Sequence, residues 1–446
     1  MDYEHMMQRT LIIQTPQAIG QPVRLKGWVH TRRDHGKIIF LDLRDRSGVV
    51  QIVVVPSNAV CYAAAKDVCA ECVVEIIGTV KERPGGTVNE HLPTGGVEIE
   101  CTSLSVLARP VDELPVDITK EDMELQLSTL LDHRSLTLRN KKINDIFAVY
   151  DCVLRSYAAA CRMDGFREIK TPKILAAATE GGANFFKINY FDRSAYLAQS
   201  PQFYKQAGVG AFERVFEIGP VFRAEPHFTA RHVNEYISLD AEMGFIDGFE
   251  DVMIQLEKVL KSITVAVAEQ YPLVLEEYGQ TLALPEHFPR MKLAEAMDIL
   301  KKHYGKETDD GDIDAEGEKL ICEYVKKEYD SDAVFLTHYP VAVRPMYVMP
   351  SPNDPMVTES FDLLYRGVEI ATGGQRIHIY DDLVVSIKKH GLSPEDFSGY
   401  LAIFKNGMPP HGGWGMGSER VVQKMLGLGN VREAILFPRD VKRLEP

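Results

Sequence analysis

VFEIGPVFRAEPHFTARHVNEYISLDAEMGF, residues 215–245, is the stretch whose reading decides the fold. Apolar Val215, Phe216, Ile218 and Val221 lead into Arg223 and Glu225, a turn-rich centre follows, and Ile237 to Phe245 alternates back. The pattern predicts a strand, a charged loop and a second strand. The loop holds Arg223, Arg231 and His232, and an arginine fork makes two parallel charge-assisted bonds to phosphate oxygens, so such a loop can clamp a polyphosphate. A solvated hairpin tip is the competing reading, and the neighbouring sequence has to decide between them.

The 446 residues allow two or three domains with cores of their own, and 45% hydrophobic with 26% charged residues is ordinary globular composition. A net charge of -14 argues against indiscriminate nucleic-acid binding, so a nucleic acid would have to meet a local basic face. The seven cysteines (Cys61, Cys69, Cys72, Cys101, Cys152, Cys161 and Cys322) are scattered, which suits reduced thiols. Cys69-x-x-Cys72 lacks a second pair at zinc-site spacing and reads as structural. MDYEHMMQ carries no signal pattern and no apolar run approaches a membrane span, so a soluble cytoplasmic protein is expected.

Outward from the opening stretch, residues 1–107 contain five short β runs: VRLKGWVH, KIIFLDLRD, GVVQIVVVP, CVVEIIGTV and VEIECTSLSVL. With one helical stretch at Ala59–Cys69, they predict a five-stranded barrel of the OB type. Between Arg24 and Arg46 seven basic residues face three acids, a local charge of +4. Phe40 could stack a base and Gln51 could read its edge, or Phe40 could simply be core. Residues 108–134 are polar and proline-bearing and read as a hinge. The larger part, 135–446, opens with a long amphipathic helix over Lys142–Cys161. REIKTPKIL then runs past Pro172 into a Glu180-Gly181-Gly182 lid, and Gln199, Gln202 and Lys205 cluster in LAQSPQFYKQ. Asp247 to Tyr271 reads as a helix. Residues 280–332 read as a helical insertion whose ETDDGDID segment is solvated.

A second chemical cluster lies in ESFDLLYRGVEIATGGQRIH. A tight turn at Tyr365-Arg366 would set Asp362 opposite Glu369 on paired strands, and facing carboxylates can hold magnesium that bridges phosphates. Gly373-Gly374 allows close backbone approach, with Arg376 just beyond. In PPHGGWGMGSERVV, glycines crowd 412–417 before a helix whose first turn carries Arg420, a cation able to cover a purine face. Neither the Walker pattern nor the dinucleotide fingerprint is present.

From GWVHTRRD to FPRDVKRLEP the chain resembles the class II aminoacyl-tRNA synthetases of the aspartyl, asparaginyl and lysyl subgroup, most closely the archaeal/eukaryotic aspartyl type. TPKILAAATEGG looks like motif 1 with the flipping loop, FRAEPHFTARH with SLDAEM like motif 2, and GGWGMGSER like motif 3. The resemblance implies an α+β chain: an OB-fold anticodon-binding barrel, then a catalytic domain with an antiparallel sheet flanked by helices. It implies ATP-dependent formation of aspartyl-adenylate and transfer to tRNA-Asp, with Mg2+ as cofactor and a homodimer joined at the Pro172 motif.

Carried residue by residue, the resemblance gives Arg223 the α-phosphate, Glu225 the adenine edge, Arg231 and His232 the outer phosphates, and Tyr236 and Arg420 the two adenine faces. Asp362, Glu369 and Thr372 would organise magnesium. Glu180 and Asp240 would attract the substrate ammonium, and Gln202, Lys205 and Arg376 its side-chain carboxylate. Arg33, Phe40, Gln51 and Glu98 match anticodon-reading positions. His30 stands where members relaxed in tRNA choice carry histidine, which extends the expectation to tRNA-Asn. Lys205 favours aspartate over asparagine, because a lysine left unpaired beside a neutral amide is costly. Pro226, Phe228, Thr372 and Trp414 depart from the usual residues. The competing readings are an asparaginyl enzyme, a paralogue that uses an adenylate without tRNA, and a scaffold without catalysis. The basic barrel argues against the paralogue, and the retained Arg223 and Arg420 against the scaffold.

Overall fold

The computed structural model describes residues 7–120, 122–176, 184–308 and 311–445. The chain forms two compact units that divide between Glu124 and Leu125.

In the first unit, strands β1 (Pro22–Asp34), β2 (Ile39–Asp45), β3 (Gly48–Val54), β4 (Val73–Glu82) and β5 (Val97–Ala108) close into a barrel in the order β1-β2-β3-β5-β4. A helix, Ala59–Lys66, sits between β3 and β4 in sequence. Strict alternation drives closure. Val23, Leu25, Val29, Leu41, Leu43, Val50, Ile52, Val74, Ile76 and Ile99 are all buried in one apolar core, while the residues between them face outward. Phe40 lies on the outward set of β2 and is not part of that core. Gly27 is needed where β1 crosses β2, since a β-carbon there would lie 2.2 Å from the Arg44 carbonyl oxygen.

The second unit carries β6 (Arg167–Glu168), β7 (Ile174–Leu175), β8 (Lys187–Tyr190), β9 (Arg193–Leu197), β10 (Arg214–Phe222), β11 (Glu235–Gly244), β12 (Arg290–Lys292), β13 (Ala333–Thr337), β14 (Ser360–Tyr365), β15 (Val368–Arg376) and β16 (His411–Gly417). Eight of them form one sheet in the order β12-β13-β14-β15-β16-β11-β10-β6, and β7-β9-β8 form a small second sheet. The six central strands are antiparallel, with one short parallel strand at each edge. The opening stretch is the β10–β11 hairpin, paired from Arg214↔Met243 to Phe222↔Glu235.

Long helices Lys141–Met163 and Phe249–Gln270 pack together, and the second lies on β15 and β16. Their apolar stripes are buried, including Val149, Val153, Tyr157, Leu256, Val259 and Ile263. Phe216, opposite Ala241 on the sheet, meets Tyr157 edge-to-face at 5.9 Å. Short helices Leu127–Asp132 and Arg134–Thr137 stand in the segment read as hinge. Arg134, buried, donates to the carbonyls of Glu433, Ile435 and Leu436 and ties the start of this unit to its end.

One correction concerns β14 and β15. The two-residue turn is Arg366-Gly367, both at positive φ (47° and 85°), so Tyr365 pairs with Val368. Asp362 therefore pairs with Thr372 and not with Glu369, and a bulge between Leu363 and Leu364 intervenes.

Phe216→Ala should remove a fully buried ring and its Tyr157 contact, costing about 3–5 kcal/mol. Chemical unfolding of the full chain measures it; a loss below about 1 kcal/mol would mean that the sheet–helix layer is not the core of this unit.

Candidate active site

A cavity of about 390 Å³ opens on the sheet face opposite the Phe216 side. Period-two alternation aims Tyr236, Ser238, Asp240 and Glu242 of β11 to one face. Their neighbours on β16 are Gly417 beside Ser238, Gly415 beside Asp240 and Gly413 beside Glu242. The floor is therefore bare backbone. A β-carbon at Gly413 would lie 2.3 Å from Glu242 Oε2, and one at Gly415 would lie 3.2 Å from Asp240 Oδ1. Trp414 points the other way, fully buried, against Phe166.

At one end of the cavity two cations and two carboxylates interlock. Lys205, 2% exposed, places Nζ 2.9 Å from Asp240 Oδ1, 2.9 Å from the Trp414 carbonyl and 3.4 Å from Glu242 Oε2. Arg376 donates through Nε to Glu242 Oε1 at 2.8 Å and through Nη2 to the Gly413 carbonyl at 3.0 Å, with Gln202 Oε1 at 3.5 Å. Burial would push the Glu242 carboxyl up, but Arg376 and Lys205 hold it below its ordinary value. Lys205 is thus not the unpaired lysine on which the sequence argument for aspartate relied. Glu242 was missed; its signal was alternation, two positions beyond Asp240 in SLDAEM.

At the other end, the β10–β11 loop and the glycine-rich strand bring Arg223, Glu225, Arg231, His232, Tyr236 and Arg420 to the same cavity. The Arg223 guanidinium stands 5.7 Å from the Tyr236 ring centre. Arg420 donates to the Glu369 carbonyl at 2.7 Å. Burial, then the nearby Arg420, lowers the pKa of the His232 imidazole below its ordinary value. Arg231 meets both oxygens of Glu318, at 2.8 and 2.7 Å. Phe228, one of the departures in this loop, lies between two cations, with Arg432 at 4.3 Å and Lys442 at 4.5 Å from its ring centre.

Between these ends sit the acidic groups of β14 and β15. Although Asp362 and Glu369 are not cross-strand partners, the Thr372 hydroxyl lies 2.8 Å from Asp362 Oδ1 and 3.0 Å from Glu369 Oε1, so the three share one face. Arg344, missed in the sequence, sits 2.9 Å from Asp362 Oδ1 and stacks 3.7 Å from the Tyr339 ring centre. Burial pushes the Asp362 carboxyl up against the pull of Arg344. Burial works the same way on Glu369, yet Arg420, the Thr372 hydroxyl and Arg223 hold it down. No cluster of three or more His, Cys, Asp or Glu ligands occurs among the described residues. Two carboxylates and a hydroxyl fit a hard cation that takes its remaining oxygens from a substrate's phosphates.

Glu180 lies outside the described residues, and Pro172 is exposed. On the barrel, Arg33 lies 3.0 Å from Asp42 Oδ1 and 3.2 Å from Gln51 Oε1, and Gln51 donates to Glu98 at 2.9 Å. Phe40 pairs with Arg33 across the strands, and His35 meets its ring at 5.5 Å. His30 falls at the register shift between Val29 and Thr31, 3.3 Å from Arg44, which Glu71 grips through both oxygens at 3.0 Å. Burial, then Arg44, lowers the His30 imidazole.

A cavity floored by glycine, walled by an arginine-bearing hairpin and an acidic strand pair, on an antiparallel sheet that follows an OB barrel in sequence, defines a class II tRNA synthetase. A family profile described as tRNA synthetases class II (D, K and N) matches residues 126–441, and one described as OB-fold nucleic acid binding domain matches 23–107. The chain belongs to that synthetase family, and within it to the aspartate–tRNA ligases. It is 45% identical to the aspartate–tRNA(Asp/Asn) ligase of Aeropyrum pernix, with 98% of each chain covered. It is 42% identical to the aspartate–tRNA(Asp) ligase of Pyrococcus abyssi, over 97% of this chain and 98% of the relative. Among solved structures, asparaginyl-tRNA synthetase from Pyrococcus horikoshii with asparaginyl-adenylate superposes with a TM-score of 0.90 at 33% identity, covering 99% and 100% of the two chains. No helix among the described residues is long and apolar enough to cross a membrane.

Glu419, in the wall beside Arg420, was also missed. Its Oε1 accepts from the Ile237 amide at 3.0 Å and the Tyr150 hydroxyl at 3.1 Å, and burial outweighs these bonds and raises its pKa from 4.5 to about 7. The folded state therefore holds this proton more tightly than the unfolded chain. Its contribution to stability is complete below pH 4.5 and declines as the pH rises toward 7, each unit of displacement being worth about 1.4 kcal/mol. Glu419→Gln keeps both accepted bonds, so urea unfolding between pH 5 and 7 should show a shallower loss than the unmodified chain; parallel curves would refute the assignment.

Proposed function

We propose that this chain joins L-aspartate to ATP as aspartyl-adenylate and transfers the aspartyl group to the 3′ end of tRNA-Asp and of tRNA-Asn. The observation that carries the reading is one cavity lined at one end by Lys205 and Arg376 and at the other by Arg223 and Arg231, so acid and nucleotide meet over the same glycine floor. Relatives 42–45% identical over nearly their whole length are aspartate–tRNA ligases, which supports aspartate.

In the first step a carboxylate oxygen of aspartate attacks the α-phosphorus of ATP, and pyrophosphate leaves. Arg223 stabilises the charge that builds on the α-phosphate, while Arg231 and His232 hold the outer phosphates. Tyr236 and Arg420 enclose the adenine and Glu225 meets its edge. Asp240, with Glu180, attracts the ammonium group, and Arg376, Lys205 and Gln202 receive the side-chain carboxylate. Asp362, Glu369 and Thr372 would hold magnesium, which would supply positive charge to the phosphates. In the second step a terminal ribose hydroxyl attacks the acyl carbon and AMP leaves. Neither step needs a protein nucleophile, because positioning and preorganised charge carry the rate. The barrel face of Arg33, Phe40, Gln51 and Glu98 receives anticodon bases, with His30 admitting both tRNAs. The exposed Pro172 segment suits a homodimer contact, and the cytoplasm, where tRNA is charged, is the expected location.

Aspartate-dependent ATP–pyrophosphate exchange, with asparagine as control, tests the activation step. Exchange with asparagine alone would overturn it. Arg223→Ala should lower exchange by about 10²–10³-fold, and near-normal exchange would remove its assigned role. Aminoacylation of separate tRNA-Asp and tRNA-Asn transcripts tests acceptor choice: both should be aspartylated, and an uncharged tRNA-Asn would restrict the enzyme to one.

A further inference from the structure

The segment between β12 and β13 belongs to the helical insertion read over residues 280–332, with its solvated ETDDGDID patch, yet it sends one carboxylate to the site. Asp314 caps the helix Ala315–Tyr329, and its first turn carries Glu318, only 8% exposed. Glu318 makes three contacts. Both of its oxygens meet Arg231 Nη2, at 2.8 and 2.7 Å, and Oε2 accepts from the Glu369 amide at 2.9 Å.

The geometry of Arg231 gives these contacts a purpose. Its loop is exposed throughout residues 226–230 and is anchored through the backbone, the Thr229 and Ala230 carbonyls accepting from Arg432 and the Val431 amide. A long side chain on such a loop would spread over many rotamers and lose most of the pre-organisation that makes an arginine fork useful. Glu318 takes only the Nη2 corner. The Nε donor on another edge meets no acceptor among the described residues, and Arg231 lines the cavity, so its charge remains for an incoming anion. Through the Glu369 amide, the same carboxylate fixes Arg231 relative to the strand that bears the acidic pair.

We infer that Glu318 is a positioning residue for the outer phosphates of ATP: it pins Arg231 at one corner and registers its remaining donors against Glu369. The inference rests on the reading of this cavity as an ATP site and adds a member to it from the insertion. A purely structural ion pair would affect every ligand of the pocket alike, whereas a positioning role affects only ligands that reach Arg231.

The test uses the full chain with Glu318→Ala and Glu318→Gln, the glutamine keeping an acceptor for the Glu369 amide. In pyrophosphate exchange, Glu318→Ala should raise the KM for ATP about tenfold while the KM for aspartate stays within twofold. Calorimetric binding of AMP, which lacks the outer phosphates, should be unchanged. Glu318→Gln should recover part of the loss and serves as the test if the alanine variant does not fold. Arg231→Ala should match Glu318→Ala, and the double variant should add little to either. An unchanged KM for ATP, equal weakening of AMP and ATP, or additive single effects would each overturn the inference. If the unmodified chain shows no aspartate-dependent exchange, the reading of the site fails instead, independently of Glu318.

Discussion

The catalytic unit depends on the buried quartet of Lys205, Asp240, Glu242 and Arg376. Four ionised groups taken out of water are tolerable only if each meets an opposite charge at hydrogen-bond distance, and removing one member strands the others at a cost of about 3–5 kcal/mol. Here the four come from the helix Gln202–Phe212, from β11 and from β15, so the quartet forms only when helix and sheet are in register. The strand between them, β16, presents only Gly413, Gly415 and Gly417 beside these carboxylates. Gly413 and Gly415 leave room for Glu242 and Asp240, and the Gly413 and Trp414 carbonyls accept from Arg376 and Lys205. The glycine run is thus a structural requirement of the charge cluster as well as a floor for a ligand.

Support beneath the quartet is also polar and also closed. Gln206 lies 2.8 Å from the Nε2 of buried His411 and accepts from the Tyr400 hydroxyl at 2.9 Å, and His411 Nδ1 reaches the Pro409 carbonyl at 2.8 Å. The Arg376 guanidinium packs 5.4 Å from the Tyr347 ring centre. A network with its members satisfied in a low-dielectric interior fixes side-chain directions more firmly than apolar packing does. The loop end of the cavity has no comparable foundation. It is held largely through backbone carbonyls and by Phe228 between Arg432 and Lys442, with Arg432 in a buried pair with Asp440 at 2.6 Å. Loop positions differ here from family expectation without disturbing the sheet, because they sit on that softer side.

Much of this was legible in the sequence, for local reasons. Alternation alone marks the five barrel strands, since each has one buried face and a one-residue slip would expose it; in β11, buried on both faces from Ser238 to Gly244, it separates polar from apolar residues. The helical spacing of Lys142–Cys161 gave a helix that the structure extends to Lys141–Met163. Cross-strand register was not legible where a bulge intervenes: the slip at Leu363 sets Thr372 opposite Asp362, and so brings a hydroxyl between Asp362 and Glu369. Glu318 and Arg344 were not legible for a different reason. Each is one ordinary charged residue far along the chain from the partner that gives it meaning, Arg231 or Asp362, and no local pattern records a pairing of that range. The family resemblance named many of the side chains that line the cavity and was silent on Glu318 and Arg344, which hold them.

The preference for aspartate over asparagine cannot be read from charge, because the quartet is formally neutral, and solved asparaginyl enzymes share the frame closely. It can be read from donors. Arg376 points Nη2 toward Gln202 Oε1, which orients that amide and leaves Gln202 Nε2 buried with no acceptor among the described residues. Lys205, Arg376 and Gln202 Nε2 then offer donors to one region of the cavity. A carboxylate answers them with two acceptor oxygens. A carboxamide answers with one and turns an N–H toward another donor, the arrangement that a buried polar site penalises most strongly. Under the proposed assignment of these side chains, discrimination would be a matter of hydrogen-bond polarity set by the orientation of Gln202, and one amide turned over would change the preference without altering a single charge.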